Sequence, residues 1–291
     1  MLVLTQLSVG TFCLSMILQA LFPAELMRAL TPFHSLAAFL LGWLALAAST
    51  LHLGRPLYAW RAFIGLRRSW LSREIIGFGL FAVLALLYAG SFGLPALRGG
   101  TNIPPFQTAL GIGVTATGLA GVFCSMMIYG NTRRTFWRTS LTAPKFFGTA
   151  LSLGSATLIA AMTAQSLVRP AIAAYPAFHR VIYLLCGFLA VTMAAKLLWE
   201  LAVFLHLSEA GWTSMKRTAL LMSRALRRVT LARFICGALG GVVLPVLVLF
   251  GTPVLVGAIG IFLFSLLGEL LERYLFFTAV IPLKMPGGIA S

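Results

Sequence analysis

The sequence predicts an all-α fold: a polytopic membrane helix bundle with eight transmembrane helices and both termini cytoplasmic. Three observations predict it. Hydrophobic residues fill 60% of the 291 positions, charged residues only 10%, and the mean hydropathy is +0.98, which does not describe a water-soluble globule. Eight apolar stretches approach the ~20 residues that a helix needs to cross a hydrocarbon core. The basic residues crowd into alternate loops.

Pro, Gly and Arg clusters mark off the stretches at 2–22, 33–52, 73–94, 107–129, 145–168, 177–206, 231–250 and 253–281. Each mixes Gly, Ala, Ser or Thr with Leu and Phe, as suits close helix packing in lipid. The first lacks a basic leader and a small-residue cleavage site, and is read as a retained helix. Little chain is left for a soluble domain, so residues 1–291 are expected to form one integral membrane anchor domain. The second, fourth and sixth loops and the C-terminal tail carry five, four, six and one of the 22 basic residues, whereas the opposite side carries only Arg28, Arg98, Arg169 and Arg180. Lys and Arg are retained on the cytoplasmic side, so both termini and the 53–73 loop are placed there.

A net charge of +16 raises nucleic acid as a partner. The arginines, however, lie in short loops with no separate domain to fold around a duplex, so no nucleic acid is expected. Membrane lipid, with its anionic head groups, is one expected partner. An acidic protein is another, because Trp60 and Trp70 alternate with Arg61, Arg67, Arg68 and Arg73, and aromatic residues with Arg are enriched at protein interfaces.

The candidate chemistry sits at the two ends of that loop. His52 closes the second stretch in HLGRP (His52 to Pro56), and Glu74 opens the third in LSRE (Leu71 to Glu74). The chain has six acidic residues and four histidines. Two titratable groups at the facing ends of neighbouring antiparallel helices suit a quinone, which needs polar partners at its carbonyls and an apolar slot for ring and tail. A histidine can hydrogen-bond a carbonyl and exchange its proton near neutral pH, and a partly buried carboxylate can relay a proton. In purely structural terms, His52 ends its helix and Glu74 favours a helix N-terminus behind Ser72 as N-cap.

HLGRP, the following SRE, MMIYGNT (Met126 to Thr132) and GELLER (Gly268 to Arg273) together resemble the DmsC-type membrane anchor subunits of the dimethylsulfoxide reductase family, within the wider NrfD-like group. The resemblance extends over most of the chain and implies an anchor in the bacterial cytoplasmic membrane. Such an anchor holds an iron–sulfur electron-transfer subunit and a molybdopterin catalytic subunit, and exchanges electrons with menaquinone or ubiquinone. His52 and Glu74 match the family's quinone-site histidine and glutamate, Tyr129 matches a family tyrosine, and Arg55 lies near them. Because the docking loop is predicted to be cytoplasmic, the anchor of a cytoplasm-facing sulfite dehydrogenase is favoured over a dimethylsulfoxide reductase anchor oxidising menaquinol. A secondary transporter is the reading from another class; no internal repeat supports it, and the titratable pair lies away from the midplane.

Inside the spans, Glu269 with Arg273 and Lys196 with Glu200 each stand four residues apart and are expected to form structural ion pairs, since an unpartnered charge at membrane depth costs about 3 kcal/mol. Haem is not expected. His34 and His52 are separated by 18 residues and His179 and His206 by 27, so the two pairs cannot match in depth, and His34 and His179 read as interfacial side chains. Cys13, Cys124, Cys186 and Cys236 show no C-x-x-C spacing and read as small buried hydrophobes. The chain therefore ligates no iron–sulfur cluster in the usual pattern, and no metal site is expected in it.

Overall fold

The computed structural model describes residues 1–52, 56–93 and 105–281, with the side chains of 52–59 outside that description. Among the described residues every regular element is helical. They are α1 (Leu2–Leu21), α2 (Ala24–His52), α3 (Trp70–Ser91), α4 (Pro105–Gly130), α5 (Thr139–Val168), α6 (Phe178–Leu201), α7 (Ser214–Ser223), α8 (Arg227–Ala238), α9 (Leu244–Leu249) and α10 (Val254–Thr278). Eight spans are long and apolar enough to cross a membrane. A π-helical turn, Leu239–Val243, joins α8 and α9 into one of them, and a 3₁₀ turn extends α6 to Ser208.

Several boundaries move outward from their predicted positions. Helix α2 begins at Ala24 and runs through Pro32. Proline removes one backbone donor and crowds the preceding turn, yet the helix continues, and the neighbouring Thr31 and Ser35 hydroxyls donate to the carbonyls of Met27 and Pro32. Helix α3 is capped by Ser69, whose hydroxyl accepts from the Ser72 amide at 3.3 Å, so Ser72 is not its N-cap. Helices α5 and α8 start at Thr139 and Arg227, which brings Lys145 and Arg233 inside spans where the charge count had put them in loops. Removing these two from the 16 leaves 14 basic residues on that side against four.

The spans pack as two groups of four. Helices α1 to α4 pack against one another, as do α5, α6, α8–α9 and α10, and the two groups meet chiefly where α1 lies along α5. These are the most enclosed spans, 72% and 78% buried. At their crossing a Cβ on Gly10 would lie 1.7 Å from the Ala150 carbonyl oxygen, and one on Gly154 would lie 2.5 Å from the Gly10 carbonyl carbon. Two backbones in such contact leave no room for a side chain. Large side chains such as Leu40, Leu51, Val191 and Val256 face outward, as expected of a lipid-facing surface.

Gly10→Ala is expected to lose at least about 1–3 kcal/mol through overpacking against backbone that cannot yield, read as a lowered Tm in detergent. Gly90, with nothing within 4 Å of its would-be Cβ, is the control: Gly90→Ala should leave Tm unchanged or raise it, since helix-interior glycine costs roughly 0.5–1 kcal/mol relative to alanine.

Candidate functional site

Helices alternate in direction, so the starts of α1, α3, α5, α8 and α10's far end share one face of the bundle with the ends of α2, α4 and α6. A cavity of about 1370 Å³ opens at this end. Its walls come from the start of α1, the last turns of α2, the first turns of α3, the end of α4 and the end of α10. It forms because α2 packs mainly on α1 and α3 mainly on α4, while the indole N–H of Trp43 donates to the Ala82 carbonyl (3.2 Å) and ties α2 to α3 farther in. Past that tie the two pairs diverge. The walls are mostly Leu, Ile, Ala, Phe and Trp, and the charged side chains that reach the cavity are Glu74 and Arg273, joined by the Tyr129 phenol.

Glu74 lies about 6 Å along α3 from its start and is buried. The Ser125 hydroxyl of α4 donates to its Oε1 in a short hydrogen bond, with the Gly121 carbonyl 3.1 Å away as the competing acceptor. One carboxylate oxygen is thus held from the neighbouring helix. Ser125 escaped the sequence reading, although it stands one turn before Tyr129 on the same face of α4. Tyr129 is fixed edge-on against Trp137, Phe146, Phe276 and Phe277, with centroids 5.2–5.8 Å apart. The backbone of α2 carries His52 to the same end as Glu74, but its side chain and Arg55 lie outside the described residues.

Behind the cavity lies a layer of buried charge, about 8–14 Å in from the end of α10. Lys145, Lys196, Arg233 and Arg273 meet Glu200, Glu269 and Glu272, and none is more than 8% exposed. The predicted pairing of Glu269 with Arg273 does not form. Glu269 instead takes Lys196, by a short contact, and Arg233 at 3.2 Å. Lys196 and Glu200 do approach, at 3.9 Å, but Glu200 is chiefly the bidentate partner of Arg233, at 2.8 and 3.0 Å. Thr149 donates to Glu269 (2.5 Å) and accepts from Lys196 (2.7 Å). Arg273 turns toward Glu272 at 3.6 Å, reaches Gln6 at 2.9 Å, and stacks over Phe146 at 4.0 Å. The i,i+4 spacing shows which side chains share a helix face. It cannot show that a neighbouring helix offers a better counterion.

The described part of the 53–73 loop divides in two. Trp60, Phe63 and Ile64 are 57–75% exposed, with Arg61, Arg67 and Arg68 exposed among them. Arg73 and Trp70 instead hold the loop to α3: the Arg73 guanidinium donates to the Leu66 and Arg67 carbonyls (2.9 and 3.0 Å) and lies over the Trp70 ring at 4.3 Å. Of the histidines expected at the interface, His179 is exposed, but His34 is 1% exposed inside α2 with no hydrogen-bond partner at Nε2. That corrects its reading as interfacial; burial on the α1/α5 side of its helix placed it within the bundle. The four cysteines are free and buried.

The family model of the DMSO reductase anchor subunit (DmsC) matches residues 1–278. This chain belongs to that family. Among characterised proteins it is similar to the sulfite dehydrogenase C subunit of Allochromatium vinosum, at 40% identity over 133 residues, a stretch that is 42% of this chain and 38% of that relative. The aligned stretch thus spans well under half of the relative's length.

Arg233→Met would leave Glu200 and Glu269 short of their shared cation. In this DmsC-family bundle it should cost about 3–5 kcal/mol, as breaking one side of a buried pair does, measured by reversible unfolding in mixed micelles. Adding Glu200→Leu should recover part of the loss; a double variant no more stable than the single one would contradict the pairing.

Proposed function

We propose that this chain is the quinone-exchanging membrane anchor of a molybdopterin and iron–sulfur oxidoreductase of the sulfite-dehydrogenase type. The observation that carries the reading is the cavity, an apolar slot that opens near the bundle end and offers a carboxylate and a phenol at its head. A substituted benzo- or naphthoquinone ring with an isoprenoid tail fits this distribution, since ligand sites are mostly apolar with a few convergent polar groups. With Ser125 engaging one oxygen of Glu74, the other is left to hydrogen-bond a quinone carbonyl or quinol hydroxyl and to move its proton. Tyr129, braced by four rings, supports a second polar contact. His52 and Arg55, matched by the family pattern, would close the site from the end of α2.

The exposed Trp60, Arg61, Arg67 and Arg68 suit the acidic surface of an iron–sulfur subunit, which would deliver electrons within reach of the slot and carry the molybdopterin subunit beyond it. The split of 14 basic residues against four favours a cytoplasmic location for this loop and both termini, in a bacterial cytoplasmic membrane. The similarity to a sulfite dehydrogenase component supports electron flow toward quinone. The family's description supports the reverse, with quinol as donor to a sulfoxide reductase, and the same residues would then take protons off rather than put them on.

In the intact complex, Glu74→Gln is expected to lower quinone-linked turnover about 100-fold, the scale of a lost acid–base group, while a fluorescent quinol analogue still binds. Ser125→Ala should give a smaller loss. Full turnover in Glu74→Gln would sink the assignment. A cysteine at Arg68 should label from the cytoplasmic face only; labelling from outside would overturn the orientation and with it the preference for the sulfite-type complex.

A further inference from the structure

A second, smaller cavity of about 110 Å³ lies on the other side of α10 from the large one. Phe136, Leu141, Val203, Met215 and Met222 give it apolar walls, and four ionisable side chains reach it: His206, Glu200, Lys145 and Glu272. Water takes about 30 Å³ of liquid volume per molecule and needs two to four polar partners to be held inside a protein. The space and the partners suit a short file of waters.

The four groups differ in what they are free to do. Glu200 is committed to Arg233 by two hydrogen bonds. Lys145 sits 4.2 Å from the Phe136 ring centre and 3.5 Å from Glu272. Glu272 is 2% exposed, and neither of its oxygens has a hydrogen-bond partner within the protein, since its two cations stand off at 3.5 and 3.6 Å. A buried carboxylate without hydrogen bonds is the group that waters in this cavity would satisfy. At the outer end His206 is about one-third exposed and is bound through Nδ1 to Glu209. The Glu209 carboxyl is held below the usual carboxylate range by the Thr213 hydroxyl and then by His206, and the Lys216 ammonium binds its backbone carbonyl.

Glu272 borders the small cavity, its neighbour Arg273 borders the large one, and the two side chains approach each other at 3.6 Å. We propose that the small cavity is the proton inlet of the quinone site. Protons from bulk water enter at His206, pass along water to the Glu272 carboxylate, and cross the Glu272–Arg273 pair into the large cavity. Arg273 keeps its proton throughout, because its guanidinium is too basic to release one; it orients water and holds Glu272. Reduction of one quinone binds two protons, one at each carbonyl oxygen, with two electrons supplied by the iron–sulfur carrier of the partner subunit. In the quinol-oxidising direction the same route discharges two protons. The inference rests on the quinone reading and adds to it the path by which the site is kept in proton equilibrium with one aqueous phase.

The test uses the intact complex, with quinone-linked turnover, its solvent deuterium isotope effect and the affinity for a fluorescent quinol analogue measured together. Glu272→Gln should lower turnover about 100-fold with analogue affinity unchanged, and Glu272→Asp should restore much of it. Ala202→Phe, which fills the small cavity from its exposed rim, should also lower turnover and raise the isotope effect. It decides the matter if Glu272→Gln fails to assemble. Unmodified turnover and isotope effect in both Ala202→Phe and His206→Gln would overturn the inlet while leaving the quinone site standing. Failure of the unmodified complex to bind the analogue would remove the quinone reading, and the inlet with it.

Discussion

Seven ionisable side chains buried in one layer of a lipid-embedded bundle are the constraint on which the rest of this structure depends. Each charge is costly away from water unless a counterion meets it with good geometry, and the counterions here come from different helices. Arg233 of α8 binds Glu200 of α6 and Glu269 of α10, and Lys196 of α6 binds Glu269. Sliding or rotating any one of these helices by a residue would strand a charge, so their register is fixed. Arg273 is held at the edge of the large cavity as a result, with Gln6 of α1 completing its setting. The layer carries four cations and three anions, and Arg273 at its edge borders the same large cavity as Glu74.

Helix number was legible because a bilayer demands long apolar runs and Pro, Gly and Arg interrupt them. Helix ends were less so. Pro32 reads as a stop, yet α2 runs through it, and Lys145 and Arg233 read as loop residues because the charge rule has no way to tell a topological arginine from one inside an ion network. Glu74 stood out as a candidate from its rarity and its motif, and it lines the large cavity. Ser125, which holds it, did not stand out, since a serine in an apolar helix is usually a packing residue or bonds its own backbone. Helix pairing decides between these roles, and helix pairing is not written in local spacing.

The large cavity follows from an imbalance in packing rather than from any one residue. Helix α1 holds α2 and α4 holds α3, and the pairs are joined by the Trp43–Ala82 and Gln19–Tyr88 hydrogen bonds and by Phe12 against Phe81. Toward the Glu74 end the large cavity lies between them, and the loop carrying Trp60 and Arg61 leads from one pair to the other. The apolar lining is therefore the same surface that would otherwise be helix–helix interface, left open at one end.

The Gly10–Gly154 crossing has a consequence for how the protein is made. Helix α1 is synthesised first, yet the backbone it fits against belongs to the fifth span, more than a hundred residues later. Until that span is inserted, the small-residue face of α1 meets only lipid or its early neighbours, and Gln6 has no Arg273 to accept from until the last span follows. The N-terminal helix must wait in the membrane for the second half of the chain, so assembly closes around α1 from the outside instead of growing outward from it.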